Sequence, residues 1–292
     1  MLMPNVSGKV VLITGAARGI GAQTARELAR RGARLALIGL EPDELATVAA
    51  ELGDGHFWGE ADVTDPDSIE AAVSRAAEHF GRIDVAIANA GIAPVGTVRK
   101  SDPRAFVKTI DVNLNGVFHT VRAALPHLAD RRGYLLVVSS LSAFAPIGGM
   151  AAYTASKAGA DALASALRSE VAHLGVMVGS AHPSWIDTDM VRDVAHDLRS
   201  FHEMRKRLPW PMRATTSVES CGKAFADGVE RRARRVYVPR SIMLMHWLRN
   251  APSSRLVERL MMPTMRRLIP KMEEEVAGLG RSLSERHQKL QG

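Results

Sequence analysis

Tyr153 and Lys157 are the residues whose types and spacing most clearly suggest chemistry. They stand four residues apart in a segment with a helical pattern, so both side chains lie on one face of the predicted helix. An ammonium group beside a phenol favours the ionised phenol and lowers its pKa from about 10. Such a phenol can donate or accept a proton nearer neutral pH. The pair alone is only suggestive, because this spacing also arises by chance.

A glycine-rich turn, TGAARGIG, joins the first apolar run to the first helical pattern at residues 14–21. Glycines there let the backbone approach a pyrophosphate closely, and the free amides at the start of a helix attract its charge. The turn lies within the first strand–helix–strand unit, so it predicts a dinucleotide site; an ordinary tight turn is the alternative. The predicted cofactor-binding residues of this turn are Gly15, Arg18, Gly19, Ile20 and Gly21.

The end of the second predicted strand bears on the choice between NAD and NADP. An acidic residue there would bind the ribose hydroxyls, but the sequence has Gly39, followed by Leu40 and Glu41. Nothing at Gly39 repels a 2′-phosphate, and Arg18 could pair with one. Glu41 could still reach the ribose hydroxyls, so NADP is favoured only slightly over NAD. Asp62, after the third strand, can accept a hydrogen bond from adenine or act as a turn residue.

Seven short apolar runs alternate with helical patterns, and these elements must position the site. Runs that are apolar throughout are typical of strands buried on both faces, and helical connections favour a parallel sheet. We therefore predict a doubly wound α/β sheet with its ligand site beyond the carboxyl ends of the strands. The predicted strands are 9–14, 34–38, 56–63, 83–91, 134–140, 176–183 and 234–239.

Residues 241–292 differ in composition from residues 1–240, so we predict a catalytic domain over 1–240 and a helical extension over 241–292. The extension has no strand signal, six methionines and three prolines, which predicts a series of short helices. Its apolar and charged residues alternate at helical spacing. It either packs on the main domain or a second subunit, or lies on a membrane surface or caps an apolar pocket. The alternating residues are Leu256, Val257, Leu260 and Met261 against Arg255, Glu258 and Arg259.

Composition narrows the class of protein. With 292 residues, 46% hydrophobic and 24% charged, the chain is expected to be globular rather than disordered or fibrous. Its net charge of +7 forms no basic stripe, so we expect no nucleic-acid partner. The run of arginines at 231–235 is interpreted as a solvated face. The sequence has no metal-ligand spacing, so we expect no metal. A single cysteine and the absence of a secretion signal at the first residues predict a cytoplasmic location.

Six motifs together resemble the classical short-chain dehydrogenase/reductases over residues 8–240. They are TGAARGIG, ANAG (88–91), VNLNG (112–116), VVSS (137–140), YTASK (153–157) and HPSWIDT (182–188), in the order and spacing of that family. The resemblance implies a single-domain Rossmann-type sheet of about seven strands, and a homodimer or homotetramer formed through the long helices. It also implies an oxidoreductase that interconverts a secondary alcohol and a ketone with NAD(P).

The same resemblance assigns roles to individual residues. Tyr153 would be the acid/base, and Lys157 would hold the nicotinamide ribose and lower the tyrosine pKa. Ser140 would bind the substrate oxygen, and Asn113 would hold a backbone bend and a water that links Lys157 to solvent. Asn89 to Gly91 would lie against the adenosine, and Ile186 and Thr188 beside the nicotinamide carboxamide. The cofactor set implied beyond the glycine turn is Gly39, Leu40, Asp62, Val63, Asn89, Ala90, Gly91, Tyr153, Lys157, Pro183, Ile186 and Thr188.

The substrate is the least determined part of the prediction. Ala88 and Ser184 replace residues common in the family, and Trp185 follows Ser184; it would narrow the substrate site or belong to the core. Residues 190–212, in the place of the family's substrate loop, mix apolar side chains with arginines, so we predict a hydrophobic, sterol-like or fatty acyl substrate, or else an anionic one. Ser139 and Ser142 are taken as structural. A non-catalytic NAD(P)-binding protein and a peripheral membrane reductase stay as alternatives.

Overall fold

The computed structural model describes residues 5–208, 212–248 and 255–283, and a seven-stranded parallel sheet lies at its centre. All six strand pairings are parallel. The strands are β1 (Val10–Thr14), β2 (Arg34–Gly39), β3 (Phe57–Glu60), β4 (Val85–Ala88), β5 (Tyr134–Val138), β6 (Met177–Pro183) and β9 (Arg235–Val238); a separate short pair comprises β7 (Trp185–Ile186) and β8 (Thr215–Thr216). The predicted Rossmann-type α/β fold and its seven strands are confirmed.

Helices cover both faces of the sheet. Pro42, Pro66 and Pro103 each stand at the first residue of a helix, where the missing N–H has no intrahelical partner to lose. The helices are α1 (Gly19–Arg30), α2 (Pro42–Leu52), α3 (Pro66–Phe80), α4 (Pro103–Ile110), α5 (Gly116–Arg131), α6 (Ala151–Glu170), α7 (Asp189–Asp197), α8 (Arg199–Lys206), α9 (Val218–Glu230), α10 (Met243–Trp247) and α11 (Arg255–Leu279).

The apolar strands follow from this two-sided packing. Alternate residues of β1 belong to different cores: Leu12 packs with α3, α5 and α6, whereas Ile13 packs with α1, α2 and α9. Both side chains are fully buried. The interior positions of β1, β2, β4 and β5 are therefore apolar on both faces, as the sequence pattern indicated.

The strand order is β3-β2-β1-β4-β5-β6-β9, so the chain changes direction across the sheet between β1 and β4. At that point the connections from the carboxyl ends of neighbouring strands run to opposite faces, which opens a crevice. The glycine turn after β1 and the ANAG segment after β4 both lie at this crevice.

The C-terminal segment differs from the predicted series of short helices. Beyond the short α10, α11 runs unbroken for 25 residues and contains both Pro263 and Pro270. Its residues Leu268, Met272 and Val276 are buried in an apolar cluster of the main domain, and this packing offsets the hydrogen bonds that the two prolines cannot make. The division at residue 240 stays a prediction. The side chains at 255–258, 260 and 261, and the residue Trp210, lie outside the described residues.

Across the described ranges, no helix is both long enough and apolar enough to cross a bilayer. In the same ranges, histidine, cysteine, aspartate and glutamate side chains nowhere gather in a group of three or more that could hold a metal ion.

Candidate active site

The glycine turn is built for close approach of the backbone. Gly15 has a positive φ of 65°, and a Cβ there would lie 2.8 Å from Ala90 Cα. A Cβ at Gly21 would lie 2.2 Å from the Gly15 carbonyl oxygen. Asn89 holds the turn, since its Nδ2 donates to the carbonyl oxygens of Thr14 and Gly15 at 3.0 Å each. Larger side chains would displace this backbone, as expected of a phosphate-binding turn.

A cleft of about 1380 Å³ extends from this turn along the carboxyl ends of the strands. Two predicted cofactor residues do not line it: Gly21 packs inside the turn, and Ile186 is buried, with its carbonyl accepting a hydrogen bond from Thr188 N at 2.8 Å. The other predicted residues do line it: Gly15, Arg18, Gly19, Ile20, Gly39, Leu40, Asp62, Val63, Asn89, Ala90, Gly91, Tyr153, Lys157, Pro183 and Thr188.

Arg18 is surrounded by carboxylates. It forms an ion pair with Glu41, and Glu44 and Asp189 each lie 3.7 Å from its guanidinium. Partial burial acts to lower the Arg18 pKa, but the hydrogen bond and the charge of Glu41 outweigh it, so the pKa is raised. Glu41 itself lines the cleft. Arg18 is therefore not the unengaged arginine that the argument for NADP assumed.

Asp62 is a turn residue that also lines the cleft; its hydrogen bond to adenine stays a prediction. It lines the cleft, where its Oδ2 lies 3.9 Å from Lys108 Nζ. Its Oδ1 also accepts a hydrogen bond from Thr64 N at 2.8 Å, as a turn residue does.

Lys157 lies at the bottom of the cleft, almost fully enclosed. It is 3% exposed, its Nζ donates to the Val138 carbonyl at 2.9 Å, and Nζ lies 5.9 Å from the centroid of the Tyr153 ring. Burial lowers the Lys157 pKa to about 8. A Cβ at Gly91 would lie 3.2 Å from Nζ, so a glycine there keeps the approach to the ammonium open.

The Tyr153 hydroxyl behaves differently from the sequence-based expectation. Burial raises its pKa, and a hydrogen bond with Ser140 opposes that rise only in part. The predicted lowering of the Tyr153 pKa is therefore wrong for this structure, because the removal of water from the phenol dominates. The convergence of Tyr153, Lys157 and Ser140 is nevertheless present.

Asn113 is fully buried in a one-turn π-helix, Asp111–Asn115, between α4 and α5. Its Oδ1 accepts from Ile92 N at 2.8 Å, and its Nδ2 donates to Ile92 O at 2.9 Å and to Ser156 Oγ at 3.0 Å. The widened turn and these bonds make a backbone bend beside the segment after β4. Such π-turns occur frequently at functional sites.

A second cavity adjoins the cleft; its space amounts to about 530 Å³ when its open mouth is included. Tyr153 and Met190 line both spaces, so the phenol lies at their junction. Trp185 forms part of its wall and is buried, with Nε1 donating to the Met212 carbonyl at 2.6 Å. The other lining residues are Ala93, Ser140, Leu141, Ser142, Ile147, Met150, Ser184, Val191, Val194 and Phe201.

Sequence reasoning missed two hydroxyls in this cavity. The Oγ atoms of Ser142 and Ser184 are buried and have no hydrogen-bond partner. No pattern marked Ser142, whereas the departure from glycine at position 184 was a signal. Ser139, by contrast, is structural as predicted, because its Oγ donates to the Lys157 carbonyl at 2.8 Å, although it also borders the cleft.

Helix α11 and the residues after it hold α7 and α8 in place. Arg281, just after the helix, lies 2.8 Å from Asp197, and Ser200 Oγ donates to Glu275 at 2.6 Å. Met272 packs against Gly149, where a Cβ would lie 2.3 Å from its sulfur. Of the alternatives predicted for residues 241–292, the described residues of α11 follow the first, since they pack on the main domain.

Comparison with known proteins agrees with this geometry. A family model described as short chain dehydrogenase matches residues 9–199. The chain belongs to this family. The predicted family and enzyme class, a short-chain dehydrogenase/reductase, are thereby confirmed.

Relatives and solved structures of the family extend the likeness. A cis-4-hydroxycyclohexanecarboxylate dehydrogenase of Sinomonas cyclohexanicum is 36% identical over 204 residues, 68% of this chain and 82% of that protein. A 3-ketoacyl-(acyl-carrier-protein) reductase from Brucella melitensis, complexed with NADH, has a TM-score of 0.73 at 26% identity over 80% of this chain and 98% of its own. An alcohol dehydrogenase from Thermococcus sibiricus, complexed with 5-hydroxy-NADP, has a TM-score of 0.69 at 28% identity, covering 79% and 96%.

Proposed function

We propose that this dehydrogenase interconverts a hydrophobic secondary alcohol and its ketone with NAD(P), using Tyr153 as the acid/base. The observation that carries the proposal is the position of Tyr153 at the junction of the cleft and the apolar cavity. A cofactor in the cleft and a substrate in the cavity would meet at this phenol. The complexes of the solved relatives with NADH and 5-hydroxy-NADP support the assignment of the cleft.

The residues around the junction divide the chemistry. A bound nicotinamide supplies or accepts the hydride. Tyr153 donates the matching proton to the carbonyl oxygen during reduction, or removes it from the alcohol during oxidation. Ser140, which hydrogen-bonds Tyr153, holds the same oxygen, and Lys157 stabilises the phenolate once the proton has left. Asn113, through Ile92 and Ser156, fixes the backbone beside Lys157.

Cofactor choice turns on Glu41. The slight preference for NADP inferred from Gly39 required Arg18 to receive a 2′-phosphate. Arg18 is instead engaged by Glu41, with two further carboxylates nearby, and a 2′-phosphate would face their negative charge. We therefore propose NAD as the preferred cofactor. Quenching of tryptophan fluorescence by NADH and NADPH tests this choice, and tighter NADPH binding would contradict it.

The substrate is proposed to be hydrophobic, in the sterol-like or fatty acyl range, because most of the cavity wall is aliphatic or aromatic. The test is a panel of secondary alcohols and ketones followed at the nicotinamide absorbance band, in both directions. We expect turnover that rises with apolar bulk until the cavity is filled. No turnover of any member with either cofactor would contradict the proposal and favour the non-catalytic alternative, which does not require Ser140, Tyr153 and Lys157 to converge.

Assembly and location are also proposals. An oligomer through the long helices is supported by exposed apolar side chains on α4 and α5, namely Phe106, Val107 and Phe118. Light scattering of the full chain tests it, and a monomer at micromolar concentration would contradict it. A cytoplasmic location is supported by Cys221, the single cysteine, which is buried and unpaired.

We further propose that the enzyme attaches peripherally to anionic membranes through one apolar–basic patch, comprising Arg240, Met243, Leu244, Trp247 and Leu248. All five side chains are exposed, and Trp247 is 79% exposed. The ring of tryptophan is suited to the headgroup level of a bilayer. Residues 231–248 hold five arginines and no carboxylate, so the segment that carries the patch matches an anionic surface rather than a second basic copy of this chain.

The patch also lies near the substrate. His246, in the same helix, contacts Phe144 edge-on at 4.9 Å between ring centroids, and Phe144 shares an apolar cluster with the cavity residues Trp185 and Phe201. An attachment there would bring the cavity close to lipid-dissolved ketones.

Flotation of the full chain with vesicles of phosphatidylcholine, with and without phosphatidylserine, tests the attachment. Leu244→Asn combined with Trp247→Gln is expected to weaken binding to the anionic vesicles at least about tenfold. Met177→Gln, at another exposed apolar residue, serves as the control and should not change it. Equal binding by all variants, or a change in oligomeric state without a change in vesicle binding, would contradict the attachment.

A further inference from the structure

The cavity beside Tyr153 has more polar groups than the proposed reaction needs. Four hydroxyls line it, and two of them, on Tyr153 and Ser140, are assigned to the reacting oxygen. The other two, Ser142 Oγ and Ser184 Oγ, are buried and have no hydrogen-bond partner. Ser142 is only 5% exposed. If these positions only formed an apolar wall, alanine at both would give a more stable protein, because a buried hydroxyl without a partner is destabilising.

The local structure directs Ser142 towards the site. Ser140, Leu141 and Ser142 enter a single 3₁₀ turn after β5, and Ser142 N donates to Ser140 Oγ at 3.2 Å. The backbone of Ser142 thereby binds the side chain that holds the reacting oxygen, while its own hydroxyl stays unbonded in the same cavity. Ser184 reaches the cavity from the other side, from the turn between β6 and β7, with its N–H donating to the Val238 carbonyl at 2.8 Å.

We infer that the substrate carries a second, uncharged oxygen, which Ser142 and Ser184 bind while Tyr153 and Ser140 bind the reacting one. This inference rests on the proposed function and specifies its substrate class: a hydrophobic hydroxyketone or diketone, and the corresponding diol or hydroxyketone. Serine hydroxyls both donate and accept hydrogen bonds, so either a hydroxyl or a carbonyl oxygen satisfies them. Among the described residues no lysine or arginine lines the cavity, so a carboxylate at the second position would lack a counter-charge.

Matched pairs of small ketones test the inference. The probes are cyclohexanones substituted at carbon 2, 3 or 4 with a methyl, a hydroxyl or a carboxylate group. Each is assayed for kcat/KM and, with NADH present, for binding by protection against thermal unfolding. At one or more positions the hydroxyl compound is expected to exceed its methyl counterpart about tenfold or more, because a site built to hydrogen-bond an oxygen discriminates against the analogue that lacks it. The carboxylate compounds should be the poorest.

Variants connect that preference to the two serines. Ser142→Ala and Ser184→Ala each should lower the hydroxyl-over-methyl ratio about fivefold or more while leaving the methyl ketones within twofold. Neither should lower the melting temperature, since each removes an unbonded hydroxyl. Thr24→Val is the matched control, because Thr24 Oγ1 is also buried without a partner but lies outside both cavities.

The outcomes separate this inference from the proposed function. Turnover of ketones with no hydroxyl preference at any position, or a preference that survives in both serine variants, overturns the inference and leaves the function standing. Absence of turnover for these cyclohexanones and for every member of the wider panel of secondary alcohols and ketones overturns the function. If in that case binding also fails to distinguish hydroxyl from methyl compounds, the inference falls as well.

Discussion

Lys157 is held in the folded chain at a cost in stability, and replacing it with methionine should make the cofactor-free protein more stable. Burial lowers its pKa from 10.5 to about 8. At about 1.36 kcal/mol per pKa unit, the ammonium destabilises the folded state by about 3 kcal/mol at pH 7. This figure is an upper limit for Lys157→Met, because the substitution also removes the hydrogen bond to the Val138 carbonyl.

The pH dependence identifies the cause. Below pH 8 both the folded and the unfolded chain hold the Lys157 proton, so the full penalty is present. Between pH 8 and 10.5 the unfolded chain binds more protons than the folded chain, and the stability of the wild type rises with pH. The advantage of Lys157→Met should therefore fall from at most about 3 kcal/mol at pH 7 to at most about 1.4 kcal/mol at pH 9.5.

Urea unfolding at a fixed protein concentration, at pH 7 and pH 9.5, measures this difference. Lys223→Met, at an exposed position of α9, is the control and should change stability by less than about 0.5 kcal/mol. The reasoning is refuted if Lys157→Met is no more stable than the wild type at pH 7, or if its advantage is the same at both pH values.

Three further substitutions test separate parts of the account. Glu41→Gln removes the carboxylate that faces a 2′-phosphate, so NADPH affinity should rise about tenfold relative to NADH; an unchanged ratio would contradict the role of Glu41. Gly21→Ala places a Cβ 2.2 Å from the Gly15 carbonyl oxygen, so we expect the free energy of unfolding to fall by about 2 kcal/mol and NADH to bind more weakly. Gly278→Ala is the control, because a Cβ there meets nothing within 4 Å, and it should change neither quantity. Gly149→Ala forces a side chain into a φ of +83° against Met272, so α11 should be cleaved faster by protease, and equal cleavage would contradict its docking there.

The strands of the sheet and the glycine turn could be predicted because the pattern of each lies within one short segment of the sequence. β1 and β2 have apolar side chains on both faces along their interior positions, since helices cover both faces of the sheet, and that pattern is visible without a structure. The glycine turn was recognisable for the same reason: Gly15 and Gly21 are needed within one short segment.

What the sequence did not reveal depends on distant contacts. The pairing of Arg18 with Glu41 joins two segments 23 residues apart, and it is the contact on which we propose NAD in place of NADP. The Tyr153 pKa depends on how far the surrounding chain excludes water, which spacing alone cannot report. The continuity of α11 through Pro263 and Pro270 depends on its packing against the main domain, so the local breaking signal was misleading.

The central claim is that Tyr153 transfers the proton that accompanies the hydride. The direct test is the rate of ketone reduction at the nicotinamide absorbance band for the wild type and for Tyr153→Phe, with NADH affinity measured on both. We expect kcat to fall at least about 100-fold with NADH affinity within about twofold. A Tyr153→Phe enzyme that retains more than about a tenth of the wild-type kcat would contradict the claim, because a phenyl ring has no proton to give.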